Sequence, residues 1–165
     1  YTGGGTNGPA LARLGEAIKE ACRDAAHLPD LRLLRYRAHA DFYFGHGTGD
    51  ALLAGKIVVR GREIQDENKR PLATWTINGN MALSMAGAKR LEPLGRYTVR
   101  IGDFLPKGSL LAPGVVDADE EIRPGDEVIV EGEQAFGIGR AKMSGWEMVQ
   151  SRRGVAVEIR HIKGR

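Results

Sequence analysis

The residues best equipped for chemistry in this sequence are cations. Arg140, Lys142, Arg152, Arg153, Arg160, Lys163 and Arg165 crowd one stretch, against only Glu147 and Glu158. Guanidinium and ammonium groups displace counterions from a phosphodiester backbone, so this stretch is a candidate phosphate-facing surface. Its plainer reading is a solvated face. Just upstream, Asp117 to Glu133 is acidic, with Arg123 its one basic residue, so a net charge of +3 hides a local asymmetry. A second feature is Lys107-Gly108-Ser109-Leu110-Leu111-Ala112-Pro113-Gly114. Glycine lets a backbone approach another backbone or a phosphate, and proline fixes the exit of the turn. Taken alone, the segment reads as a tight turn leading into a strand.

The other reactive side chains are sparse. His39, Asp41 and His46 flank Gly45-His46-Gly47-Thr48-Gly49, a glycine-rich turn without the Lys-Ser/Thr of a P-loop. An Asp–His pair there could move a proton, but nothing in the spacing demands a metal. Cys22 is the one cysteine, which excludes an internal disulfide and a cysteine-based zinc site. It falls on an apolar helical stripe with Leu11, Leu14 and Ile18, where a thiol is buried and inert. Gly137-Ile138-Gly139 has no third glycine in place for a dinucleotide site. Trp75 and Trp146 read first as core or interface residues, with Trp146 beside the basic stretch.

These groups need elements to hold them. Pro9 to Ala26 has helical periodicity, Pro29 ends it, and Leu31 to Arg37 fits either a strand or a turn of helix. Ala51 to Leu53 fits a short helix capped by Asp50 or Thr48. Lys56 to Arg60, Arg62 to Gln65 and Leu72 to Ile77 are strand-like. Asn78-Gly79 is a hairpin signal, with Met81 to Met85 as the returning strand. Ala86 to Leu91 is a short helix stopped by Pro93 and Gly95. Short strands follow at Tyr97 to Ile101, Leu110-Leu111, Val115-Val116, Glu127 to Val130, Ala135 to Met143 and Val155 to Ile162. Between them Arg123-Pro124-Gly125-Asp126 is a turn with preset φ at proline and positive φ at glycine.

A length of 165 residues accommodates two small domains that lean on each other, since each alone would bury only about 60% of its unfolded surface. The expected fold is α+β. A small mixed α/β domain spans residues 1–94, with 1–8 a flexible lead, and a β-rich domain spans 95–165. No apolar run approaches the roughly 18 residues of a membrane span, and Tyr1 to Pro9 lacks the regions of a signal peptide. A cytoplasmic setting is expected. The opening on Tyr1 rather than Met reads as a start inside a longer chain.

Four segments of the second half recur in a fixed order: Lys107 to Val116, Arg123-Pro124-Gly125-Asp126-Glu127-Val128, Gly139-Arg140-Ala141-Lys142-Met143-Ser144, and Gly154-Val155-Ala156-Val157-Glu158-Ile159-Arg160. Each is weak alone. Together they resemble a PUA domain, the pseudo-barrel named for pseudouridine synthases and archaeosine transglycosylases, over Gly95 to His161. In such domains a helix precedes the Lys107–Gly108 turn, whereas here only Gly102 to Pro106 remain for it. Ahead of this, Ala40 to Leu53, Leu72 to Trp75 and Leu83 to Leu91 are similar to the domain before the PUA in archaeal tRNA-guanine transglycosylases and archaeosine synthases, a match running from Arg35 to Leu94.

The resemblance implies a PUA-like pseudo-barrel and binding of structured RNA, a tRNA held at its acceptor stem. The RNA-facing residues would be Lys107, Gly108, Ser109, Leu110, Ala112, Pro113, Gly114, Arg140, Lys142, Arg152, Arg153 and Arg160. Family members carry catalysis on a (β/α)₈ barrel of about 250 residues, with a nucleophilic aspartate and a Cys/His zinc site, which this chain cannot hold. No catalytic residue, metal or cofactor is therefore expected, and the natural partner is a separate catalytic transglycosylase-type polypeptide, unless the chain is a fragment of one. Two other readings stand beside this one. One is a divergent RNA-modifying enzyme domain using His39, Asp41 or His46. The other is a translation-associated PUA protein that binds the ribosome or initiator tRNA.

Overall fold

The computed structural model describes residues 30–77 and 79–165 together with Glu16 and Glu20. The helix expected over Pro9 to Ala26 and the thiol of Cys22 lie outside the described residues, apart from Glu16 and Glu20, which are helical. By packing, the chain divides into Tyr1–Arg35 and Tyr36–Arg165.

In the first unit, Asp30 starts a helix. Its carboxylate accepts the Arg32 backbone N–H at 2.9 Å and its carbonyl accepts Leu34 N–H at 3.0 Å, which is N-cap geometry. The same N–H, followed by the Arg32 side chain, holds the Asp30 carboxyl below its ordinary range. The ambiguous stretch at Leu31 thus resolves as helix α1, Leu31–Phe44, longer than its short apolar pattern indicated.

The second unit begins at Tyr36, within α1, and holds the rest. Helix α2 is Thr48–Leu52, followed by β1 (Ile57–Arg60), β2 (Glu63–Asp66), β3 (Pro71–Trp75) and β4 (Met81–Leu83), an antiparallel sheet in that order. Gly79 takes a positive φ of 82°, and Thr76 N–H closes onto Asn80 C=O at 2.8 Å, as the hairpin signal required. Helix α3 (Met85–Leu91) begins one residue earlier than expected, because the Ser84 hydroxyl accepts Gly87 N–H.

The second sheet comprises β5 (Thr98–Ile101), β6 (Leu110–Leu111), β7 (Val115–Ala118), β8 (Glu127–Glu131), β9 (Ala135–Ala141) and β10 (Val155–Gly164). Its order is β6-β10-β9-β8-β5-β7, antiparallel except for the β5–β8 pair. The Arg123 to Asp126 turn forms as read. Gly125 has φ 98°, Asp126 N–H reaches Arg123 C=O at 3.1 Å, and the Asp126 carboxylate accepts Arg123 N–H at 2.7 Å. No helix occupies Gly102 to Ser109 among the described residues.

One apolar cluster gathers Phe44, Leu52, Ile64, Leu72, Met81 and Leu91 against Ile129, Phe136 and Ile138 of β8 and β9. A second fills the barrel-like sheet with Val99, Leu110, Ile122, Val128, Met148 and Val157. The chain is thus α+β, a mixed part followed by a nearly closed β pseudo-barrel. Among the described residues no helix is long and apolar enough to cross a membrane.

Candidate nucleic-acid interface

The Lys107 to Gly114 segment is shaped by the strands around it. Gly102 N–H bonds Gly114 C=O at 3.2 Å, and the Phe104 ring lies on Gly114, where an added Cβ would stand 2.7 Å from a ring carbon. A side chain at 114 would therefore have to displace the Phe104 ring. Gly108 has φ 121°, and a Cβ added there would meet nothing within 4 Å, so its need for glycine is conformational and not steric. Strand alternation turns Leu110 into the core and Leu111 outward, and Ala112 is buried again. Leu110 and Ala112, both expected at the RNA surface, can act there only through their backbone. Leu111, passed over in the sequence, is the side chain that faces out, and period-2 alternation was the signal for it.

The structure brings this turn alongside Arg152 and Arg153. Leu111 pairs with Val155 and Leu110 with Val157, and Ala112 N–H donates to Gly154 C=O at 2.9 Å. Lys107, Ser109, Pro113, Arg152 and Arg153 are exposed, and the three cations have no ion-pair partner among the described residues. Leu111 and Val155, cross-strand partners, are both exposed beside them. Helix α4, Gly145–Gln150, packs on β7 and on the Ala112–Gly114 turn and carries Trp146, which is 66% exposed. This helix was not anticipated. Its signal was present as a capping box, with Ser144 accepting Glu147 N–H while the Glu147 carboxylate accepts Ser144 N–H. Cations interleaved with exposed apolar and aromatic side chains can hold phosphates and stack unpaired bases.

Arg140, Lys142 and Arg160 have different surroundings. They lie on β9, the residue after it, and β10, where Arg140 is in register with both Glu127 and Glu158. Lys142 Nζ sits 2.5 Å from the Glu158 carboxylate, and hydrogen bonding and charge from Lys142 hold that carboxyl below its ordinary range. Arg160 pairs with Glu127 through both terminal nitrogens, one at 3.1 Å, and donates to Leu83 C=O at 2.5 Å. Glu127 also accepts Leu83 N–H at 3.0 Å. Burial pushes the Glu127 carboxyl up, against the opposing pull of Arg160.

The glycine-rich turn is structural in its contacts. Helix α2 starts from Gly47 in the left-handed region without a side-chain cap of its own, so neither Asp50 nor Thr48 caps it. Instead Asp41 reaches over from α1 and accepts Gly49 N–H at 2.7 Å, while the Thr48 hydroxyl bonds Ala40 C=O at 2.9 Å. His39 stacks on Trp75 with ring centroids 4.3 Å apart. The His46 side chain is almost wholly exposed, with Nδ1 3.8 Å from Asp41. Among the described residues, no group of three or more His, Cys, Asp and Glu side chains could hold a metal ion.

Comparison with known proteins fits this architecture. Residues 100–163 match the PUA domain family. The chain is 47% identical over 137 residues to the archaeosine synthase of Haloferax volcanii, covering 78% of this chain and 23% of that protein. It is 32% identical over 142 residues to the tRNA-guanine(15) transglycosylase of Pyrococcus furiosus, covering 78% and 24%. It thus spans about a quarter of the length of these relatives. Among solved structures, AF0587, a protein of unknown function, superposes with a TM-score of 0.64 at 36% identity, covering 77% of this chain and 45% of that one. A conserved PUA domain protein from Thermoplasma acidophilum shares the fold, with a TM-score of 0.57 at 21% identity over 81% of this chain and 90% of that one. Residues 100–163 are a PUA domain, joined to a preceding segment as in the C-terminal region of archaeosine synthases and tRNA-guanine transglycosylases.

Proposed function

We propose that this chain binds structured RNA, and that the RNA is a tRNA engaged at its acceptor stem in the service of tRNA modification. The observation that carries the reading is the PUA domain with Arg152 and Arg153 unpaired beside the exposed Leu111 and Val155, and Lys107 unpaired ahead of β6. In this reading Lys107, Arg152 and Arg153 position phosphates, and Gly108, Ser109, Pro113 and Gly114 let the backbone approach them. Leu110 and Ala112 hold the strand. Arg140 adds its charge from the β9 face, while Lys142 and Arg160 reach phosphate only by leaving Glu158 and Glu127.

The role is one of positioning. The relatives named archaeosine synthase and tRNA-guanine(15) transglycosylase are about four times as long as the segment they share with this chain. Their names support a link to tRNA modification, and their extra length supports a catalytic polypeptide beyond the described residues, separate or continuous with them. We keep the division near residues 94 and 95 as the functional one: the four-stranded sheet and its helices brace the pseudo-barrel that meets RNA. The setting in this reading is cytoplasmic.

A titration of folded tRNA at several salt concentrations tests this. With three to five phosphate contacts, log K falls against log salt with a slope of roughly −0.7 to −0.9 per contact. Absence of saturable binding at low salt would remove the RNA reading.

A further inference from the structure

Strand β10 has a neighbour on both sides only near its start, where β6 meets Val155 and Val157. After a bulge at Arg160 it runs on in register with β9, His161 opposite Ile138, Ile162 opposite Gly137, Lys163 opposite Phe136 and Gly164 opposite Ala135. No strand among the described residues covers its other edge there. Arg165 N–H bonds Gln134 C=O at 3.1 Å, which sets the phase of the ladder. Antiparallel alternation then turns the main chains of His161 and Lys163 toward β9, and those of Ile162 and Gly164 away from it. These two residues offer N–H and C=O groups along an open edge.

The facing wall is β4 and the start of α3, across a groove of about 690 Å³. Leu83, which points its own main chain outward, is already satisfied by Glu127 and Arg160. Among the described residues the lining is apolar at Ala82, Met85 and Ala86 and cationic at Arg70, Lys163 and the already paired Arg160, with Glu63 as its carboxylate. Arg70 uses Nε on Asp66 and leaves its terminal nitrogens without a partner among the described residues. Sheet edges are commonly guarded by bulges and lysines. Here the reach of Arg160 to Glu127 and Leu83 accounts for the bulge, and the ladder beyond it is regular.

We propose that this groove receives an extended segment of another polypeptide, which adds as a strand to β10. Small apolar side chains of the segment meet Ala82, Met85 and Ala86, and acidic ones meet Arg70 and Lys163. The open edge favours a peptide over RNA. A phosphate oxygen only accepts, so RNA could answer the outward carbonyls of Ile162 and Gly164 only through 2′-hydroxyls or base edges, whereas a strand supplies N–H and C=O groups in alternation. The inference is independent of the RNA surface at Lys107 and Arg152.

The test is an amide-resolved NMR titration of the full chain. The probe is an acetylated, amidated hexapeptide of alternating Val and Glu, with the Val–Lys counterpart and oligouridylate as controls. The expected result is saturable shifts centred on Ile162 and Gly164, with the glutamate peptide at least threefold tighter than the lysine peptide. Gly164→Pro removes one outward N–H where an added Cβ would meet only Gln134 C=O, at 3.8 Å. It is expected to weaken peptide binding at least threefold with unchanged melting. Lys163→Glu, which leaves the backbone intact, is expected to abolish the preference for acidic peptide. No shift at Ile162 and Gly164, equal binding of both peptides, undiminished binding by Gly164→Pro, or displacement of the peptide by oligouridylate at these amides would each overturn the proposal.

Discussion

Two groups of cations in one sheet have opposite surroundings. Lys107, Arg152 and Arg153 stand at loop ends with no carboxylate partner among the described residues. Lys142 and Arg160, on the β9–β10 face, meet Glu158 and Glu127. The first group has no carboxylate to neutralise it among the described residues. In the second, Arg160 and Glu127 together take the place of a missing strand, because they satisfy the outward N–H and C=O of Leu83 at the edge of β4. Residue type alone does not separate a phosphate contact from an internal tie. An ion pair formed in the folded sheet, as at Lys142 and Arg160, marks the tie.

The largest effect that can break this contrast comes from Glu127→Ala. It strands Arg160 and leaves Leu83 N–H unsatisfied, so stability should fall by about 2–4 kcal/mol. A denaturant melt reads that loss, while RNA affinity at a temperature where both proteins are folded should stay within about twofold of wild type. A gain in affinity would mean that the released Arg160 belongs to the RNA surface after all.

Gly108→Val comes next, at the heart of the unpaired group. A side chain at φ 121° is strained, and a β-carbon there projects into open space where RNA would approach. RNA binding should weaken by about 1–3 kcal/mol. Melting measured on the same samples separates the two causes. Equal affinity with a lower melting temperature would reduce the turn to a structural support.

Arg152→Ala with Arg153→Ala should flatten the salt slope by about 1.5 units, and Lys107→Ala by about 0.8, with little change in melting. The smallest effect is a gain. Glu158→Gln releases Lys142, so affinity should rise slightly and the slope steepen by less than about one unit. The pH dependence has a definite sign. Because the folded Glu158 carboxyl titrates below its ordinary range, its pair with Lys142 is intact above that range and breaks only as pH falls through the lowered value. Acidification within the ordinary glutamate range should therefore leave Lys142 engaged.

Much of the architecture was legible where local chemistry is decisive. The Arg123 to Asp126 turn, the Asn78-Gly79 hairpin signal and the strands beside them depend on proline, glycine and alternation within a few residues. Helix α4 was missed although its capping residues Ser144 and Glu147 stand in the sequence, because its short apolar content hid it. The cap on α2 was not legible, because Asp41 reaches Gly49 from the preceding helix and not from the expected position beside it. Nor was the divided fate of the arginines. Arg160 and Glu127 are far apart in sequence and meet only once β8, β9 and β10 are in register. The approach of the Ala112 turn to Arg152 and Arg153 likewise exists only through the pairing of β6 with β10.

The one parallel pairing among the described residues, β5 beside β8, has a kinetic consequence. Thr98 must find Ile129 across an intervening stretch that forms β6 and β7. Closing so long a loop costs chain entropy before any ladder bond repays it. Hairpins such as β8–β9 can form early from neighbouring residues. The barrel-like sheet should therefore assemble from β8–β9 outward, with closure through β5 as its slow step.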